Sequence, residues 1–114
     1  MPKKIKKSSR RRGYVVERKI RLMFENHGWK TIRAGASLGV VDVVCIKNGK
    51  CLLLQIKSTK NKKFYYYEYM KSKFEGMPFY LVVDFGYGKI RVLAPKKYVT
   101  PTDGVKLEEF LKSI

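Results

Sequence analysis

The chain has 114 residues, 45% of them hydrophobic, and a formal charge of +17 from 26 basic and 9 acidic residues. That is enough for one folded domain with its own core, and it excludes a disordered basic tail. No apolar run approaches the roughly 20 residues that span a bilayer, and the charged start lacks the apolar stretch of a signal peptide, so an intracellular protein without a membrane partner is expected.

In chain order, residues 1–11 read as a flexible basic arm and residues 12–114 as a single domain. Seven basic residues, Arg10, Arg11 and Arg12 among them, lie in the first twelve positions; without them 19 basic residues still face 9 acidic ones. The excess belongs to the folded body too. Nucleic acid is the commonest partner for such a surface, through phosphate contacts and counterion release. Charge that merely solubilises is the plainer reading, and an anionic membrane fits less well because no apolar face adjoins the arm.

A helix is predicted from about Arg12 to His27. Val16, Ile20, Met23, Phe24 and His27 recur at spacings of three and four, and Gly28 is a natural stop. Trp29 to Ala34 reads as a strand, Gly35 to Gly39 as a loop of small residues, and Val40 to Lys47 as a β-branched strand. Asn48-Gly49 is the signature of a two-residue type I′ hairpin turn, and Lys50 to Ser58 is the return strand. After the basic stretch Thr59 to Lys63, the segment Phe64 to Glu75 fits strand or helix. The spacing of Tyr66, Met70 and Phe74 favours a helix from near Tyr66. Phe79 to Phe85 and Lys89 to Leu93 are strands, and a C-terminal helix starts at Leu107. The order predicts an α/β fold, a mixed five-stranded sheet flanked by helices. Cys45 and Cys51, with one histidine in the chain, do not make a zinc site and read as small packing residues in a reducing compartment.

The Asn48-Gly49 turn pairs Lys47 with Lys50, and each further pair follows. Asp42 is then opposite Gln55, side chains on one face, with Lys57 diagonal to it. Val41, Val43, Leu52, Leu54 and Ile56 form the apolar face. A carboxylate between valines is costly to bury unless paired or bound to a cation. Two readings stand side by side. One is a cross-strand ion pair of Asp42 with Lys57. The other is a hard-metal site in which Asp42, the Gln55 oxygen and the Ile56 carbonyl are ligands and Lys57 orients or activates the attacking water. Glu17, at the edge of the helix stripe, taken alone reads as a solvated glutamate. Arg18 and Arg21 beside it suit phosphate binding or simple solvation.

Val16-Glu17-Arg18, Ile32-Arg33-Ala34-Gly35-Ala36-Ser37, Val41-Asp42-Val43-Val44, Leu54-Gln55-Ile56-Lys57 and the ending Thr100 to Glu108 resemble the archaeal-type Holliday junction resolvases of the restriction-endonuclease-like superfamily. The resemblance runs from about Gly13 to the C-terminus. It implies a restriction-endonuclease-like fold, with Glu17 and Asp42 as metal-binding acids and Lys57 as the catalytic lysine. Ser37 and Arg33 match residues near the scissile phosphate. Gln55 departs from the family's usual glutamate, keeping an oxygen ligand but removing a charge.

What the resemblance implies is a homodimeric, Mg2+-dependent endodeoxyribonuclease, with Mn2+ as a substitute, that cuts four-way DNA junctions. The basic arm, Arg18, Lys60, Lys62 and Lys63 are the expected phosphate contacts. Exposed tyrosines and Phe64 would pack an interface or stack on bases. The alternatives are a non-catalytic nucleic-acid-binding protein with a nuclease-like fold, for which Gln55 is the best support, and a superfamily nuclease acting on other DNA structures.

Overall fold

The computed structural model describes residues 4–34, 40–66 and 76–114. Helix α1 (Lys4–Asn26) starts well ahead of the expected position near Arg12. Nothing from Lys4 to Arg12 breaks a helix, since lysine and arginine are good helix formers and Pro2 lies upstream. The apolar stripe decides what α1 buries: Val16, Ile20 and Phe24 are buried, and Met23 packs at the margin. His27 drops out of the stripe and is exposed, because the helix ends at Asn26 and Gly28 turns away at φ +91°. Among the described residues no helix is long and apolar enough to cross a membrane.

Strand β1 (Lys30–Arg33) pairs antiparallel with β2 (Val43–Lys47), which pairs in turn with β3 (Lys50–Ser58). Asn48 and Gly49 take φ of 49° and 80°, the two positive values that a type I′ turn demands. The register runs as the turn predicts, from Lys47 opposite Lys50 to Val43 opposite Leu54. Strand β4 (Phe64–Tyr65) follows, and most of the helix expected from Tyr66 lies outside the described residues.

Strands β5 (Phe79–Asp84) and β6 (Ile90–Leu93), short strands β7 (Tyr98–Val99) and β8 (Val105–Lys106), and helix α2 (Leu107–Ser113) complete the chain. Among the described residues the main sheet has six strands in the order β1-β2-β3-β5-β6-β8, and β4 pairs with β7 separately. Among the described strands only β3 and β5 pair in parallel, so the sheet is mixed as expected. The additional edge strand, β8, is two residues long, too short for an alternation to reveal it. It reaches β6 through Gly104, at φ +65°, where a Cβ would overlap the Val92 carbonyl oxygen.

Alternation along the strands gives the sheet two apolar faces. One carries Val43, Cys45, Leu52, Leu54, Val82 and Val92 against α1 and α2. The other carries Leu81, Val83 and Leu93 against Tyr66 and Val99. Gln55 and Lys57 pair with Leu81 and Val83 and belong to this second face.

Candidate active site

Asp42 lies just before β2, half-buried between the fully buried Val41 and Val43. Its backbone amide donates to the Leu54 carbonyl at 2.8 Å, although the ladder pairs Leu54 with Val43. Two successive residues therefore face one, the pattern of a β-bulge. The expected placement of Asp42 squarely across from Gln55 is corrected by that one-residue slip. The bulge re-aims the carboxylate, so that Asp42 Oδ2 accepts the Ile56 backbone N–H at 2.7 Å. The carboxylate is thus tied to the Gln55-Ile56-Lys57 strand by the Ile56 peptide N–H. A residue's N–H and C=O leave an extended strand on the same side, so the Ile56 carbonyl projects toward the Asp42 side as well.

Gln55 is buried, at 4% exposure. Its Oε1 accepts a hydrogen bond from the Tyr66 hydroxyl. Lys57 is half-buried two residues further along the same face. The sequence reading did not single out Tyr66 for this role, because its partner comes from another strand. The available signal was a tyrosine within an otherwise apolar cluster, where a buried hydroxyl needs a partner.

Glu17 is not a solvated surface acid. Its carboxylate accepts from Arg33 Nε, and Arg21 Nε lies 3.7 Å away. Arg33 closes β1 opposite Val43, and the Ala34 amide donates to the Asp42 carbonyl at 2.9 Å. The Arg33 contact therefore holds Glu17 at the end of the sheet where Asp42 stands. Arg33 also lies over the Tyr14 ring, 5.3 Å from its centroid.

Arg18, Lys60, Lys62 and Lys63 are exposed, as phosphate contacts must be, and Lys63 Nζ sits 5.8 Å from the centre of the Tyr98 ring. Arg10, Arg11 and Arg12 fall within α1. Ser37 lies outside the described residues.

Asp84 is a buried carboxylate outside the predicted site. Asp84, 5% exposed at the end of β5, accepts from Lys19 Nζ and from the Gly86 amide, each at 2.8 Å. It ties α1 to the sheet, and with Val16, Ser58, Thr59 and Lys60 it lines a cavity of about 200 Å³. Its signal was the one that marked Asp42, a carboxylate set in an apolar strand, here Val82-Val83-Asp84-Phe85.

Both cysteines are free thiols, Cys45 buried and Cys51 partly so. Burial, aided by nearby Cys51 and Glu25, pushes the Cys45 thiol up to about 12. Near the C-terminus, the Lys96 ammonium and the Thr100 amide hold the Asp103 carboxyl below its usual range.

Among the described residues, no three of His, Cys, Asp and Glu come together as a metal cluster. The donor chemistry at Asp42 nevertheless suits a hard divalent ion. A carboxylate, a carboxamide oxygen and a peptide carbonyl are the kind of oxygen donors such an ion takes, and the Ile56 amide ties the Asp42 carboxylate to β3.

The family model for archaeal Holliday junction resolvases (Hjc) matches residues 8–114. No curated protein sequence matches the chain. Among solved structures it is similar to the Holliday junction resolvase Hjc of the archaeal hyperthermophile Archaeoglobus fulgidus. That match has a TM-score of 0.70 and 16% identity, and covers 89% of this chain and 96% of that one. At such identity the likeness speaks for the fold, a restriction-endonuclease-like mixed sheet with flanking helices.

Proposed function

The chain belongs to the archaeal Holliday junction resolvase family, and from that membership we propose where and how it cuts. As a member it is a structure-selective endonuclease of DNA recombination and repair that cleaves Holliday junctions. Branched DNA is its substrate, the family's cutting uses a divalent metal ion, and a DNA-processing enzyme of this kind is intracellular.

In our reading the cutting site is the stretch around Asp42 and Gln55-Ile56-Lys57. Asp42, the Gln55 oxygen and the Ile56 carbonyl would hold Mg2+, with Mn2+ as a substitute, and Glu17 completes the site from α1. When bound, the ion supplies positive charge against the negative charge that develops at the phosphate during hydrolysis. Lys57 orients the attacking water and adds its own charge beside the phosphate. Arg33 and Ser37 contact the phosphodiester near the cut. Arg10, Arg11, Arg12, Arg18, Lys60, Lys62 and Lys63 follow the DNA backbone, positioning the substrate by phosphate and shape rather than by base sequence. A two-fold homodimer suits a junction, because it presents two equivalent sites to two equivalent strands.

The observation that carries this reading is the 2.7 Å bond from the Ile56 amide to Asp42 Oδ2, which fixes a carboxylate beside the lysine-bearing strand. The test is incubation of labelled four-way junction, duplex and single strand with magnesium or with chelator. Symmetric, magnesium-dependent cuts confined to the junction are expected. Asp42→Asn should lower the cutting rate on the order of a thousandfold, the several kcal/mol that metal-assisted charge stabilisation contributes. Junction binding in chelator should persist. Cutting by that variant at the wild-type rate would remove Asp42 from the site.

A further inference from the structure

We propose that Tyr66 is a positioning residue, whose buried hydroxyl orients the Gln55 carboxamide and thereby sets how tightly the site holds its divalent cation. This rests on the reading of Gln55 as a metal ligand.

Tyr66 is 1% exposed and Gln55 4%. The phenol O–H donates to Gln55 Oε1, so each polar group satisfies the other inside an apolar cluster. Tyr66 itself is held from several sides. Its backbone amide donates to the Lys97 carbonyl at 2.7 Å. Its ring stacks on Phe64, with centroids 6.4 Å apart and planes at 21°. Leu81, Val83, Leu93 and Val99 share its cluster. A hydroxyl so placed is a fixed reference point.

A carboxamide needs such a reference more than a carboxylate does. A carboxylate shows oxygen at both ends, whereas a carboxamide has one oxygen and one NH2, and only the oxygen binds a cation. Rotation by half a turn about the last side-chain bond would exchange the two. The Tyr66 O–H is donated to the oxygen end, which ties the rotation of the carboxamide to a fixed hydroxyl. An oriented ligand binds without first losing rotamer freedom, and partners of this kind alter metal affinity roughly 10–100-fold when removed. Glutamine at position 55 and tyrosine at position 66 are therefore one device: the hydroxyl supplies by orientation part of what a second charged oxygen would supply by chemistry.

Gln55 is the only glutamine in the chain, so selective 15N-glutamine labelling reports its side-chain NH2 alone. In the wild type that signal should show contacts to the Tyr66 ring and shift on addition of MgCl2. Tyr66→Phe should move it without metal and raise the Mg2+ midpoint roughly tenfold, leaving the circular dichroism spectrum and junction binding in chelator unchanged. In a Gln55→Glu background, the same substitution should change the Mg2+ midpoint, read by calorimetry, far less. An NH2 signal that ignores Tyr66→Phe, or one that moves while the Mg2+ midpoint stays, overturns the proposal. A wild-type signal in contact with Tyr66 but indifferent to Mg2+ overturns it too, and then locates the failure in Gln55 as a ligand. If Tyr66→Phe does not fold, the wild-type ring contacts and their response to Mg2+ still decide: both present supports the proposal, either one missing overturns it.

Discussion

The two faces of the main sheet are built on different terms. The face under α1 and α2 is packed by aliphatic and aromatic side chains, with Phe24 touching both Trp29 and Phe110 edge-on at 6.1 and 6.4 Å. Among the described residues the opposite face has a smaller cluster, and a tyrosine–glutamine hydrogen bond runs through it. Apolar burial is non-directional and tolerates approximate placement, whereas a buried polar pair must meet at hydrogen-bond distance or cost free energy. The first face packs α1 and α2 onto the sheet, while the second gives the Gln55 side chain a defined direction. Asp42 stands between these regimes, its carboxylate clamped by a peptide N–H at the bulge.

The largest effect that would sharpen this contrast comes from the packed face. Phe24→Ala should destabilise the domain by about 3–5 kcal/mol, measured by denaturant unfolding, while the folded fraction retains Mg2+-dependent cutting. A small loss would mean that α1 is not what holds the sheet.

A smaller effect separates the faces chemically. Cys45 shares the packed face with Leu52 and is fully buried, while its neighbour in space, Cys51, is partly exposed on β3. With its thiol pushed up to about 12, Cys45 lacks both access and thiolate at pH 8. Iodoacetamide at that pH should label Cys51 alone, with Cys45 following only in denaturant, as read by mass spectrometry. Rapid double labelling would break the assignment of Cys45 to a closed face.

The smallest effect lies outside both clusters. The Asp103 carboxyl is lowered first by its hydrogen bond from Lys96, 2.9 Å away, and then by the Thr100 amide. A carboxyl lowered in the folded state adds stability above its unfolded value of about 3.9 and loses it as pH falls through the folded value. Asp103→Asn should therefore lower the melting temperature modestly at pH 7, with the deficit vanishing as pH falls through the lowered folded-state value. A deficit independent of pH would assign the loss to the turn's shape rather than to charge.

Much of the fold was readable because it rests on short-range rules. The α1 stripe at Val16, Ile20 and Phe24 is buried as its spacing requires, and the Asn48-Gly49 turn sets the β2–β3 register. The early start of α1, the two-residue strands and the exposure of His27 escaped because their patterns are too short or too polar to register. At the candidate site the residue types around Asp42 and Gln55 were visible, but their contacts were not. The bulge depends on competition between Val43 and Asp42 for one Leu54 carbonyl, which no alternation in the sequence encodes.

Charge, apolar spacing and one turn dipeptide by themselves determined that this chain folds around a mixed sheet, favours a polyanion and brings β2 beside β3. Those features act within a few residues or do not depend on position at all. Tertiary structure alone decided that Arg33 would hold Glu17, that Lys19 would reach Asp84 from 65 residues away, and that Tyr66 would meet Gln55. Each of these contacts joins elements placed by strand order and packing, and a hydrogen bond forms only when both its ends have been delivered within about 3 Å.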